Sequence, residues 1–126
     1  RDGVPFIADM SLVQAPYDPA PEPEVIRVEG APLQGAKLVN LSPGLTAELQ
    51  IGEVWQGVYI EEIGRYSLAG QLGFRPKDVL VGLNGEKVLT IKDAKRLMRE
   101  AMLSGEREWT LSLYRGGRLR NLRLRY

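Results

Sequence analysis

The residues able to do chemistry in this chain are a few carboxylates, a few serines and a set of basic side chains. The adjacent pair Glu61-Glu62, with Asp78 and Glu86, has the residue types of a general acid–base site. Neighbouring residues on a strand point to opposite faces, so Glu61 and Glu62 do not converge. Ser42, Ser67 and Ser104 carry the hydroxyl of a nucleophile, but each falls at a predicted helix cap or turn. The 126 residues include no histidine and no cysteine. The usual general base, thiolate, disulfide and imidazole ligand are therefore missing. No catalytic residue, no metal site and no cofactor is expected.

The basic residues form two groups, Lys92, Lys95, Arg96 and Arg99 on a predicted helix and Arg118, Arg120, Arg123 and Arg125 on the last strand. Such groups suit acidic peptides, lipid headgroups or nucleic acid. Aromatic residues do not interleave them as a stacking platform requires. With 17 basic against 16 acidic residues the net charge is only +1, so a solvated face is the plainer reading and nucleic acid is not an expected partner. Hydrophobic residues make up 44% and charged residues 26%, ordinary for a folded domain. No apolar run approaches the roughly 18 residues needed to cross a bilayer, so no transmembrane segment is expected.

The elements that hold these residues follow from apolar spacing. Val4, Phe6, Ala8, Met10 and Leu12 alternate, predicting a half-buried strand over 1–14. Pro16, Pro19, Pro21 and Pro23 make the next stretch stiff and poor in ladder donors, so 15–32 reads as a linker. It contains a short strand at 25–28. From 33 onward the spacing predicts a strand over 36–41, a helix over 43–50 and a strand over 55–63. A short helix capped by Ser67 follows, then a strand over 79–83 closed by the tight turn Asn84-Gly85. Thr90 and Asp93 predict a capping box for a helix over 90–102, with Ile91, Ala94, Leu97, Met98 and Ala101 at helical spacing. Strands over 109–114 and 119–126 flank the turn Arg115-Gly116-Gly117. The apolar phase slips between Leu119 and Leu122, predicting a bulge. Trp55 and Trp109 are expected to pack.

The order from Leu33, with the run 72–85 reading LGFRPKDVLVGLNG, resembles a PDZ domain. Lys77 stands where that family more often has glycine. The run 41–49, LSPGLTAEL, is similar to the first helix of PDZ domains in Do-like (HtrA-type) bacterial serine proteases. The fold implied is α+β, a PDZ-like partly open barrel of five to six strands with two to three helices. The chain begins Arg1-Asp2-Gly3 and later repeats a short echo, Arg115-Gly116-Gly117 before a strand. It reads as an excerpt: 1–14 the last strand of a preceding domain, possibly a first PDZ, then a proline-rich linker over 15–32 and a PDZ domain over 33–126. The orphan strand is expected on a sheet edge or poorly ordered.

The resemblance implies a non-catalytic module of a periplasmic serine endopeptidase whose catalytic domain lies upstream. Its partners would be unfolded or substrate polypeptides and neighbouring subunits or domains of the protease. A peptide would add as a strand to 36–41, and the loop Leu33, Gln34, Gly35 and Ala36 would offer backbone N–H groups to its carboxylate. Helix 90–102 would form the opposite wall through Ile91, Lys95 and Met98, and Ala36, Leu38, Ile91 and Met98 would line the last side-chain pocket. Gln34 replaces an apolar residue of the family's loop, and Ala36 is small. The alternative reading is a scaffold module that packs in an oligomer or on a fixed partner and captures no free C-termini.

Overall fold

The structure, a computed structural model, describes residues 19–51, 56–105 and 107–125. The strand expected over 1–14, the domain assigned to it, and Trp55 lie outside these residues. The described chain forms a seven-stranded antiparallel sheet and three helices. The strands are β1 (Glu24–Val25), β2 (Ala36–Asn40), β3 (Val58–Ile63), β4 (Val79–Leu83), β5 (Glu86–Lys87), β6 (Glu108–Arg115) and β7 (Arg118–Arg125). The helices are α1 (Pro43–Leu49), α2 (Leu68–Gln71) and α3 (Ile91–Leu103). The expected five or six strands become seven because β1 and β5 are two-residue pieces. The sheet runs β1-β2-β3-β4-β6-β7, with β5 paired to β4 alone.

Strand alternation places two apolar clusters on opposite faces. Leu38, Val58, Ile60, Leu80 and Leu83 join Ile91, Ala94, Leu97 and Met98 of α3 and Trp109 in the main core. Val39, Leu41, Tyr59 and Val79 face the other way, with Leu45 and Leu49 of α1 packed against them. Burial and the charge of Glu61 push the Tyr59 phenol above its usual 10.0, burial first. Local caps match the sequence signals. Ser42 Oγ accepts from Leu45 N at 3.2 Å, and Ser67 Oγ from Gly70 N at 3.1 Å. Thr90 Oγ1 accepts from Asp93 N, while Asp93 Oδ2 accepts from Thr90 N, both at 3.3 Å. Asn84 and Gly85 both have positive φ, 52° and 82°, the primed turn that a two-residue hairpin needs.

The bulge expected in the last strand is absent. β6 and β7 pair without a register shift from Glu108↔Arg125 to Arg115↔Arg118. Leu119 simply takes the outer face, 54% exposed, while Leu122 and Leu124 pack against the core from the other side. The irregularities lie instead at Lys37/Leu38 in β2 and Leu80/Gly82 in β4.

Lys77 has φ 78°, and its N–H donates to Ile60 O at 2.8 Å. A β-carbon is strained in that conformation, by about 1–2 kcal/mol, and glycine is not. Lys77→Gly is therefore expected to stabilise the domain by about 0.5–1 kcal/mol after the larger unfolded-state entropy of glycine is subtracted. Urea denaturation followed by tryptophan fluorescence reads this as a raised midpoint at constant slope.

Candidate functional site

The loop assigned to carboxylate capture is packed rather than open. Leu33 and Ala36 are fully buried. Gln34 N donates to Ala31 O at 3.0 Å, Gly35 N to Ile26 O at 2.9 Å, and Ala36 N to Leu33 O at 3.0 Å. The carbonyls point to the neighbouring helix and strand end. Ala69 N donates to Gln34 O at 3.1 Å and Gly64 N to Gly35 O at 3.0 Å. The Gln34 side chain turns back, its Oε1 accepting from Gly30 N at 2.9 Å. Thus three N–H groups expected to converge on a ligand already hold internal carbonyls.

β2 is the strand expected to receive a peptide. One of its edges pairs with β3, from Ala36↔Ile63 to Asn40↔Val58. The other pairs antiparallel with β1, Glu24↔Leu38 and Val25↔Lys37. Main-chain hydrogen bonds extend that ladder at both ends. Ile26 N donates to Ala36 O at 2.9 Å, and Asn40 N donates to Pro21 O at 2.8 Å. Residues 21–26 therefore lie along β2 as an added strand would. Part of the stretch read as a linker is built into the sheet, and Ile26 reaches the core at 1% exposure.

α3 forms the wall beside this strand. Ile91 and Met98, expected at the groove edge, are buried in the main core together with Leu38 and Ala36. Lys95 alone of the α3 site residues keeps a polar end in the groove, and its Nζ binds Glu24 Oε2. Crevices flank β1 on this side. One of about 660 Å³ is lined by Glu22, Glu24, Asn40, Lys92, Arg96 and Arg99 among others. Arg96 pairs with Glu100 at 3.4 Å, while Lys92 and Arg99 have no ion pair among the described residues.

The residue that joins all three parts is Asn40, which the sequence reading passed over. It is 6% exposed. Its Oδ1 accepts from Ile91 N at 2.7 Å, and its Nδ2 donates to Ala20 O at 3.0 Å. β2, the first N–H of α3 and the chain entering β1 thus share one amide. The available signal was a single polar residue ending the apolar run Leu38-Val39. Asn40→Ala is expected to cost about 2 kcal/mol, because it strands a buried N–H and removes a second bond. Equilibrium unfolding measures it.

These elements and their order give a PDZ-like fold, with α3 and β2 bounding the groove. The similarity in sequence is to HtrA-type serine proteases. The chain is 27% identical over 97 residues to the serine protease Do-like HtrB of Bacillus subtilis (strain 168), an alignment covering 72% of this chain and 21% of that protein. The chain thus spans about a fifth of the length of that curated relative. Among solved structures, the HtrA3 PDZ domain bound to the phage-derived ligand FGRWV superposes with a TM-score of 0.57 at 24% identity, covering 72% of this chain and 80% of that one. No family model matches the chain. No helix among the described residues is long and apolar enough to cross a membrane.

Proposed function

We propose that the chain is a non-catalytic, peptide-binding module of a serine endoprotease of the cell envelope, periplasmic as the resemblance implies, with the catalytic domain elsewhere in the protein. It engages substrate polypeptides by strand addition to β2 beside α3. The observation that carries this reading is the antiparallel seating of residues 21–26 along β2. It supports a groove of the right width and hydrogen-bonding pattern for an extended chain. The solved HtrA3 PDZ domain with its five-residue ligand adds support by analogy of fold. Titration with apolar-ended peptides, each as free acid and as amide, tests the reading. Saturable binding supports it; no binding of any peptide, even once residues 21–26 are displaced from the edge of β2, overturns it.

A second reading has its own observation. The N–H groups of Gln34, Gly35 and Ala36 donate internally, which favours packing against a neighbouring subunit or fixed partner without capture of free C-termini. A depression of about 790 Å³, lined by Val81, Val88, Leu89, Tyr114 and Leu119 among others, offers apolar surface for such packing. In the titration, loss of binding on amidation favours C-terminal capture, and equal binding of acid and amide favours internal segments.

A further inference from the structure

We propose that residues 21–26 are an intramolecular occupant of the β2–α3 groove, and that the ligands which displace them are extended acidic segments bound within a chain rather than at its end. The proposal rests on the strand-addition reading above and names its regulation and ligand class.

Three observations carry it. First, the occupant makes the main-chain bonds of an added strand on one edge of β2, with Asn40 N on Pro21 O at one end and Ile26 N on Ala36 O at the other. A second chain can use that edge only if this one leaves. Second, the occupant does not stop at the loop where a terminal carboxylate would sit. It continues through Arg27 and Val28, and its Ile26 carbonyl accepts from Gly35 N at 2.9 Å. The loop therefore receives a carbonyl from inside a chain. Third, the charges are complementary. The occupant reads Pro21-Glu22-Pro23-Glu24-Val25-Ile26, and Glu24 binds Lys95. Lys92, Lys95, Arg96 and Arg99 line the crevices beside it. Glu24 and Ile26, two residues apart, share the side that meets α3 and the core, whereas Val25 faces solvent at 38% exposure. A displacing segment needs an acid two residues before a buried aliphatic side chain.

The ion pair is the weak part of the closure, which is otherwise held by main-chain bonds and the burial of Ile26. β1 itself is two residues long, and the Glu24 and Lys95 side chains are 42% and 28% exposed. A pair this exposed is screened and contributes little.

Hydrogen exchange and a trans peptide test the proposal together. Asn40 N–H and Gly35 N–H report the occupant, since their acceptors are Pro21 O and Ile26 O; Leu41 N–H, bonded to Gly57 O at 3.0 Å, reports the rest of the sheet. Glu24→Lys places like charges together and is expected to speed exchange at Asn40 and Gly35 by about three- to tenfold, with Leu41 unchanged. The probe is the acetylated and amidated copy of residues 19–28, PAPEPEVIRV. It is expected to bind the Glu24→Lys domain more tightly than the unaltered chain by about the same factor. Its counterpart with lysine at the position of Glu24 is expected to lose that binding, and Lys95→Glu in the domain to reverse the preference. Unchanged exchange at Asn40 in Glu24→Lys, or equal binding of the acidic and basic peptides, overturns the proposal and leaves strand addition standing. An opened edge that binds no peptide of either charge overturns both.

Discussion

Gly35→Ala is expected to lower the unfolding free energy by about 3 kcal/mol, although it adds a single methyl group. The added Cβ would meet Ser67 Cβ at 2.3 Å and Ser67 Oγ at 3.1 Å. The hydroxyl can rotate away, but Ser67 Cβ is fixed to its backbone, so backbone must move. Gly35 also has φ 91°, where a β-carbon is strained by about 1–2 kcal/mol before any contact is counted. The displacement would propagate. Ser67 caps α2, Ala69 N holds Gln34 O, and Gly64 N holds Gly35 O. Urea unfolding followed by tryptophan fluorescence is the measurement. Ser67→Gly in the same background is expected to restore part of the loss by making room, despite removing the cap. A cost below about 1 kcal/mol for Gly35→Ala would mean that the loop is not braced on α2. The resemblance ties a glycine here to ligand capture; the packing supplies an independent reason for it.

Asp78→Ala is expected to cost about 2–3 kcal/mol, below the range for a fully buried ion pair because Arg115 is only half-buried. Asp78 is 1% exposed. Its Oδ1 accepts from Arg115 Nε at 2.9 Å, and its Oδ2 accepts from Arg115 Nη2 at 2.8 Å and Arg75 N at 3.0 Å. Arg115 Nη2 also donates to Gly73 O at 3.1 Å. One fork therefore ties the turn before β4 to the end of β6. The hydrogen bonding to Asp78 holds the guanidinium above its ordinary pKa, against the opposing effect of burial. Without the carboxylate, Arg115 keeps a half-buried charge with no counterion there. Arg115→Met in the Asp78→Ala background is expected to cost much less than the sum of the single changes, since the stranded partner goes too. Additive costs would show that the pair is not coupled.

The turn Asn84-Gly85, the caps at Ser42, Ser67 and Thr90, and the buried face of α3 were all legible in the sequence. Each depends on contacts a few residues apart, and short-range spacing records those. The arrangement of the groove was not legible, because it depends on which distant segment lies beside β2. The composition of 15–24 marks stiffness and missing donors. It does not show that Pro21 O and the N–H of Ile26 would find partners on β2. Asp78 was weighed as an acid–base carboxylate, and Arg115 as a turn residue, since nothing local joins positions 37 residues apart. The apparent bulge near Leu119 shows the same limit. An exposed leucine on an edge strand has the same phase as a slipped core residue until the register is known.

Strand 79–83 sets the position of the elements that bound the β2–α3 groove. β4 sits between β3 and β6, and its turn fixes the start of the connection to α3. Asn84 N donates to Thr110 O at 2.6 Å, and Asn84 Oδ1 accepts from Thr110 N at 2.9 Å, so the turn is pinned to β6. α3 therefore stands at a set distance from β2, which a strand-addition groove needs.

The most direct measurement of that groove is nuclear magnetic resonance mapping of backbone amides while an apolar-ended peptide is added. The expected result is a contiguous set of shifts over β2, the 33–36 loop and α3, with Asn40 and Lys95 among those most moved. Shifts confined to the Val81, Tyr114 and Leu119 face, with β2 and α3 unmoved, would contradict a peptide groove between β2 and α3.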